Sequence, residues 1–250
     1  MALTEYLTSR RKLDCESCPL SRNCLPHSIE AKNLHQLEKV IEHPAPLRAG
    51  GYLFRQGDVF ESLAIIRSGT VKTCSVDREG RDLTLGFHFP GDFIGLGAID
   101  EGRHPSSAVA LDTVTICRVP FRAAAEAAAT TPLLMTHLFK LMSRDIARAT
   151  HMSCNQTADE RLAGFLIGMA DRMAARGFSS SRWQLTMSRM DIASYLRLAP
   201  ATLSRMIRRF QHEGLLAIEG REVEVRQRER LQALTTPAGR ECSDSLASHH

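Results

Sequence analysis

MSRMDIASYLRLAPATLSRMIRRFQHEGLLAIEGREVEV, residues 187–225, decides the architecture of the C-terminal part of the chain. Met187–Leu196 and Pro200–Gln211 each have the spacing of a short helix, and only about three residues separate them. Leu215–Ile218 and Val223–Val225 then flank Glu219-Gly220-Arg221, a tight turn between two short strands. Two helices across a short turn, followed by a hairpin, outline a winged helix-turn-helix. The second helix has two faces. Leu203, Met206, Ile207 and Phe210 recur at i, i+3, i+4, i+7, which predicts a buried stripe. Ala201, Ser204, Arg205 and Arg208 share that spacing on the other side and are predicted to face outward. An outward arginine near the N-terminal half of such a helix reaches guanine O6 and N7 with two hydrogen bonds. Thr202, Arg208 and Arg209 suit phosphates, which position a helix without reading sequence.

The charge distribution agrees. The 250-residue chain carries 32 Lys and Arg against 28 Asp and Glu, a net charge of only +4. Between Arg182 and Phe210, however, six arginines (Arg182, Arg189, Arg197, Arg205, Arg208 and Arg209) stand against one acid, Asp191, so this segment alone is +5. Localised positive charge is what a polyanion binder needs. The overall composition, 43% hydrophobic and 24% charged, is globular. No apolar run approaches the roughly 18–20 residues of a membrane span. Met1–Leu13 includes Glu5, Arg10, Arg11 and Lys12 without an apolar core, so no secretory signal is expected and the cytoplasm is the expected compartment. A Gly-rich phosphate loop, a nucleophile elbow and a His-Glu-x-x-His helix are all missing, so an enzyme is not expected.

Upstream of the helix pair, Glu160–Arg176 carries Leu162, Phe165, Leu166 and Met169 on one helical face, with Gly177 as a stop. Residues 121–155 are predicted helical: Ala123–Ala129 has high propensity, and Thr131-Pro132 pairs a cap with proline at the first helical position. Beyond it, Met135, Met142 and Ala149 recur every seven residues, as do Phe139, Ile146 and Ser153. These fill the a and d positions of a short coiled-coil seam, although a helix packed on its own domain would share the pattern. From Pro46 to about Pro120, glycine-rich turns separate short apolar runs: Ser62–Arg67, Thr70–Val76, Asp82–Phe89 and Ala108–Val119. Such spacing predicts a β-sandwich or barrel. Leu34, Leu37, Val40 and Ile41 predict a short helix before it. The expected organisation is an N-terminal arm (1–28), a β-rich domain (29–130), a long helix (131–156), the winged helix-turn-helix (157–232) and a disordered tail (233–250).

Cys15-x2-Cys18-x5-Cys24 places three of the seven cysteines within ten residues, while Cys74, Cys117, Cys154 and Cys242 are scattered. Three thiolates this close suit one soft metal centre. Zinc completed by Cys117 or His27, and an iron–sulfur cluster completed by Cys117, both fit; spacing does not separate them.

DCESCPLSRNCLP at 14–26, VTICRVPF at 114–121 and ADERLAGFL…RLAPATLSRMIRRFQ together resemble one family, the fumarate-and-nitrate-reduction (FNR) regulators of the cAMP receptor protein superfamily, over roughly residues 14–232. The resemblance implies an α+β multidomain chain: a β-roll sensor domain of cyclic-nucleotide-binding type (a jelly-roll, or double-stranded β-helix), a long dimerisation helix and a C-terminal winged helix-turn-helix. It implies an oxygen-labile [4Fe–4S] cluster on Cys15, Cys18, Cys24 and Cys117. It also implies a homodimer paired through Met135, Phe139, Met142, Ile146 and Ala149, active while the cluster is bound and inactivated when oxygen degrades it. Such a dimer would bind a palindromic double-stranded DNA operator and contact RNA polymerase, in part through the loop near Gly80-Arg81-Asp82, to control anaerobic or microaerobic genes. The alternatives are a zinc-structured or thiol-redox DNA-binding regulator, and an iron–sulfur electron carrier or enzyme.

Departures from the family pattern carry expectations too. Ser204 and Arg205 match its base-reading residues, but Ala201 stands where a glutamate would accept from cytosine N4, so one base pair should be read loosely. Arg197 fills a turn position often held by glycine. Pro19 and Asn23 replace residues beside the cysteines, and Ala149 stands where relatives place an acid across the seam. Ser106 and Leu96 occupy the slots of the arginine and glutamate that clamp a cyclic nucleotide, leaving only Arg103 or His104 as a cation, so no cyclic nucleotide is expected.

Overall fold

The computed structural model describes residues 15, 18–20, 24, 35, 38–77, 79–153 and 156–235, without the side chains of 148–153. The chain divides into two compact units, residues 1–151 and 152–250.

The first unit is built on two facing antiparallel sheets. Strands β1 (Tyr52–Phe54), β2 (Ser62–Ser68), β3 (Val71–Val76), β4 (Asp82–His88), β5 (Phe93–Ile94), β6 (Ser107–Ala110) and β7 (Thr115–Pro120) form one sheet ordered β1-β6-β3-β4 and another ordered β5-β2-β7. Between the sheets lie Ala64, Ile66, Val71, Ile94, Ala108, Ala110, Val114 and Ile116. The alternate side chains of the second sheet, Leu63, Ile65, Phe93 and Val119, build a second core on its outer face with Leu96, Ala124, Ala128 and Leu134. A strand buried on both faces loses polar alternation, which is why β2 reads SLAIIRS.

The expected run Ala108–Val119 is two strands. β6 pairs with β3 in one sheet and β7 with β2 in the other, and the chain changes sheets at the intervening corner. There Leu111 N–H donates to the Thr70 carbonyl, and Asp112 Oδ1 accepts from Thr70 N–H at 2.8 Å. Apolar residues continue through the corner, so periodicity hides it.

Helix α1 (Phe121–Thr130) and helix α2 (Pro132–Ser153) follow, separated by Thr131 in extended conformation. Proline at the first position of α2 lacks only an N–H that has no helical acceptor. The Thr131 carbonyl accepts from Leu134 and Met135 N–H instead. Of the helix predicted from Leu34, Leu37, Val40 and Ile41, His35 and Glu38 are helical, but Lys39 and Val40 lie in a turn and Ile41 is beyond it, so the helix ends earlier than expected; residues 34, 36 and 37 lie outside the described residues.

In the second unit, α3 (Ala158–Ala174) opens with a capping box in which Thr157 and Glu160 exchange hydrogen bonds. β8 (Arg182–Gln184), α4 (Arg189–Tyr195), α5 (Pro200–His212), β9 (Leu216–Glu219), β10 (Glu222–Val225) and α6 (Arg228–Thr235) complete it. Ser188 and Asp191 form a second capping box on α4. The β9–β10 hairpin is extended by β8, in the order β8-β10-β9. Two of these elements were not predicted. β8 is only three residues long, and α6 is strongly polar apart from its anchor Leu231, which is fully buried. α6 packs against α3 and ties to it by an Arg228–Asp171 ion pair. It continues to Thr235, so order extends past position 233, where a disordered tail was expected; residues 236–250 lie outside the described residues. Among the described residues no helix is long and apolar enough to cross a membrane.

The turn between α4 and α5 keeps the glycine-type geometry without glycine. Leu198 N–H donates to the Ala193 carbonyl and Arg197 N–H to that of Ser194, the paired bonds of a Schellman end. Arg197 takes φ 54°, alone among non-glycine described residues in having positive φ. The same pair of bonds ends α3 at Gly177 and α5 at Gly214. Arg161 Nη1 secures the strained turn by donating to the Leu196 carbonyl at 2.8 Å and more weakly to that of Arg197 at 3.4 Å. A side chain in the left-handed region costs about 1–2 kcal/mol, partly offset because glycine loses more entropy on folding. We expect Arg197→Gly to stabilise the second unit by up to about 1 kcal/mol in urea unfolding followed by Trp183 fluorescence. An unchanged or lower midpoint would contradict the strain.

Candidate cysteine site and candidate nucleic-acid interface

Cys117 lies on β7 between Ile116, which points into the sandwich, and Arg118. Cys15, Cys24 and Cys117 all pack against the outer core of the β5-β2-β7 sheet. Cys18 is held to Cys15 by a turn in which its N–H donates to the Cys15 carbonyl at 3.3 Å. Burial pushes the Cys15 thiol up to about 12, with the Glu38 carboxylate and the Cys117 and Cys24 sulfurs adding to it. Burial likewise pushes Cys117 up to about 11; Arg67 opposes this and Cys18 reinforces it. Cys15 is therefore close enough to Cys24 and Cys117, and Cys117 to Cys18, for charge on one sulfur to act on the other. The cysteines converge without closing: among the described residues, no three His, Cys, Asp or Glu side chains are grouped tightly enough to hold a metal ion. Cys74 is buried on β3, apart from this set. Cys154 and Cys242 lie outside the described residues.

Three polar residues that sequence reasoning did not single out surround the thiols. Glu38 Oε1 accepts from Cys15 N–H at 2.6 Å. His43 Nδ1 lies 3.6 Å from Cys117 Sγ, and burial together with Arg67 lowers the pKa of its ring. Arg67 belongs to β2, and its charge reaches both Cys117 and His43. No motif marks them, because they come to the cysteines only through strand pairing and the segment that runs antiparallel to β7.

Helix α2 divides as a two-sided packer would. Leu134 is 1% exposed and packs in the outer core, with Leu138 and Leu141 beside it. On the other side Phe139 is 62% exposed and Ile146 66%, with Met135 and Met142 less so. Ala149 lies on the same helix, its side chain outside the described residues. Met135, Phe139, Met142 and Ile146 of the heptad series therefore lie off the stripe that the helix packs on its own domain.

The faces of α5 are as the spacing predicts. Leu203, Met206, Ile207 and Phe210 are buried, while Ala201, Ser204, Arg205, Arg208 and Arg209 are exposed and Thr202 is half-buried. Ser204 Oγ donates back to the Pro200 carbonyl at 2.9 Å, and Arg205 Nη2 lies 3.4 Å from Thr202 Oγ1. Ion pairs redistribute the local positive charge. Arg182 is held by Glu222 and Glu224, and Arg209 by Asp159 and, at 3.7 Å, Glu213. Among the described residues no acid pairs with Arg205 or Arg208. The free charge of the outer face is thus concentrated on these two, and Arg209 is oriented toward the start of α3.

In the sandwich, Leu96 is buried in the outer core, Arg103 Nη1 donates to the Gly57 carbonyl at 2.8 Å, and His104 stacks on Phe54 with ring centroids 3.6 Å apart. Burial lowers the pKa of His104, which favours its neutral form. On the β3–β4 turn, Asp77 accepts from the Arg81 side chain at 2.7 Å and from Arg81 N–H at 2.8 Å, which holds its carboxyl below the usual range.

Residues 45–131 match the cyclic nucleotide-binding domain family, and residues 160–234 match the Crp-like helix-turn-helix domain family. The chain is 40% identical over 228 residues to the transcriptional activator protein Anr of Pseudomonas aeruginosa, covering 90% of this chain and 93% of the relative. It is 37% identical over 225 residues to the fumarate and nitrate reduction regulatory protein of Escherichia coli, covering 89% and 90%. Among solved structures, FixK2 from Bradyrhizobium japonicum matches with a TM-score of 0.71 at 26% identity, over 80% of this chain and 99% of that one. With both domain types in this order, and identity at this level along nearly the whole length, the chain is a DNA-binding transcription regulator and belongs to the FNR branch of the cAMP receptor protein superfamily.

Proposed function

We propose that this chain is an oxygen-responsive regulator that holds a [4Fe–4S] cluster on Cys15, Cys18, Cys24 and Cys117 and binds its operator as a homodimer. The observation that carries the reading is the packing of cysteines from two distant segments, Cys15 and Cys24 of the arm and Cys117 of β7, against one apolar floor. The donor set suits a soft inorganic centre. Buried thiols with raised pKa values stay protonated on their own, and ionise when bound metal offsets the cost of burying their charge. When bound, such a centre supplies an oxygen-labile link among the four sulfurs.

The remaining work falls to the chain's own residues. Cys117 fixes one end of the site on a strand whose neighbours Leu63 and Ile65 share a core with Leu134 of α2. Seating of the arm and seating of α2 therefore depend on the same apolar surface. Met135, Phe139, Met142 and Ile146 present the face that pairs with a second copy. Ser204 and Arg205 read bases, with Ala201 beside them, while Thr202 and Arg208 contact phosphates; Arg209 does so only by sharing its charge with Asp159. The turn Gly80-Arg81-Asp82, stiffened by Asp77, is a contact for RNA polymerase. A cyclic nucleotide is no part of this reading, because Arg103 donates to a backbone carbonyl and His104 is stacked on Phe54, with burial disfavouring its charged form.

Protein purified without air should contain iron and sulfide and absorb broadly near ~400 nm, with the band and operator affinity both falling on aeration. Cys117→Ser should abolish both. A colourless zinc adduct, or a serine variant with unchanged colour and DNA binding, would overturn the proposal.

Ile146→Asp should weaken self-association of the loaded protein by about tenfold or more in sedimentation, since a two-fold interface would bury the carboxylate twice. Undiminished pairing would remove this face from the dimer.

Site selection from random DNA should show weak preference at one position of each half-site. Ala201→Glu should restore discrimination there by about 1–3 kcal/mol. Strong native preference at every half-site position would refute the role given to Ala201.

A further inference from the structure

We infer that Glu38 is the latch that seats the cysteine arm, a positioning residue acting through the backbone of Cys15. The role assigned to it in cluster retention rests on the function proposed above; the latch itself rests on geometry. Glu38 Oε1 accepts the Cys15 amide hydrogen at 2.6 Å across 23 residues of sequence, and its side chain is only 19% exposed. The segment bearing Glu38 is nailed to the strand of Cys117. Glu42 N–H donates to the Arg118 carbonyl and Arg118 N–H to the Glu42 carbonyl, both at 2.9 Å, and the two side chains approach at 3.9 Å. The next residue, His43, lies against Cys117 Sγ at 3.6 Å. Residues 38–43 thus form a bracket with one end on β7 beside Cys117 and the other on the Cys15 amide. Ile41, between the two ends, packs on the same core as Cys15, Cys24 and Cys117.

The bracket explains how the first cysteine of the arm stays close to a thiol about a hundred residues away. Entropy opposes such an arrangement, and apolar contacts from two cysteines give it no direction. A charge-assisted hydrogen bond to a specific amide supplies the direction. Because Glu38 takes up that amide, the N–H is also withheld from any sulfur at the site.

The test uses cluster-free full-length protein and reads hydrogen exchange of the Cys15 amide, resolved by fragmentation mass spectrometry, with the β3 amides as the internal reference. The readout is the amide and not the thiol, whose pKa either substitution at Glu38 would also shift. Glu38→Ala should speed Cys15 amide exchange roughly tenfold, the value of one lost charge-assisted hydrogen bond. Glu38→Gln keeps an acceptor oxygen without the charge and should retain part of that protection. Exchange as fast in Glu38→Gln as in Glu38→Ala, or an unchanged rate in Glu38→Ala, overturns the latch. In protein loaded without air, Glu38→Ala should also release iron to a chelator faster than Glu38→Gln does. If native protein takes up no iron, the proposed function fails while the exchange comparison still decides the latch.

Discussion

The outer face of the β5-β2-β7 sheet is apolar and has to be covered. Leu63, Ile65, Phe93 and Val119 project away from the sandwich interior, and water on that face would cost roughly 25 cal/mol for each Å² left exposed. Several parts of the chain supply the cover, among them α1 through Ala124 and Ala128, α2 through Leu134, the loop of Leu96, the segment of Ile41, and the arm through Cys15 and Cys24. That one requirement puts the cysteines, the strand of Cys117 and the root of the long helix into a single packed cluster. Packed cores resist continuous deformation. A change in how the arm seats is therefore felt where α2 leaves the sheet, which is the physical basis for coupling in the function proposed here.

α2 also shows why its apolar content exceeds what its own domain uses. Its inner stripe is spent on the core, yet Phe139 and Ile146 on another face stay largely exposed. Four large apolar side chains along one line are poorly accounted for as scattered surface residues. A second copy of the helix would cover them, which is the role that the function proposed above gives this face.

In the second unit, the residues that mount α5 are distinct from those that face outward. Leu203, Met206, Ile207 and Phe210 fix the helix, Arg161 ties down the turn that precedes it, and Arg209 reaches Asp159 on α3. What remains outward is a short surface of Ser204, Arg205 and Arg208, with no acid paired to either arginine among the described residues. The concentration of six arginines in the sequence therefore overstates the charge available to DNA, since the hairpin acids hold Arg182 while Asp159 and Glu213 hold Arg209.

Periodicity made much of this legible. The two faces of α5, the exposed stripe of α2 and the apolar runs of β2 to β4 follow from side-chain spacing alone, because each element's own geometry sets which residues share a face. Clustered thiols likewise announced a site through their chemistry. Sequence was silent wherever a feature depends on a partner far along the chain. The sheet change at Asp112, the strand β8 that exists only by pairing with β10, and α6 anchored by Leu231 all lack a periodic signature. The bracket from Glu38 to His43 and the commitment of Arg209 to Asp159 belong to the same class. Local spacing determined which faces the elements would offer; only the tertiary fold decided which of those faces meet, because that depends on long-range pairing and on which apolar surfaces compete for cover.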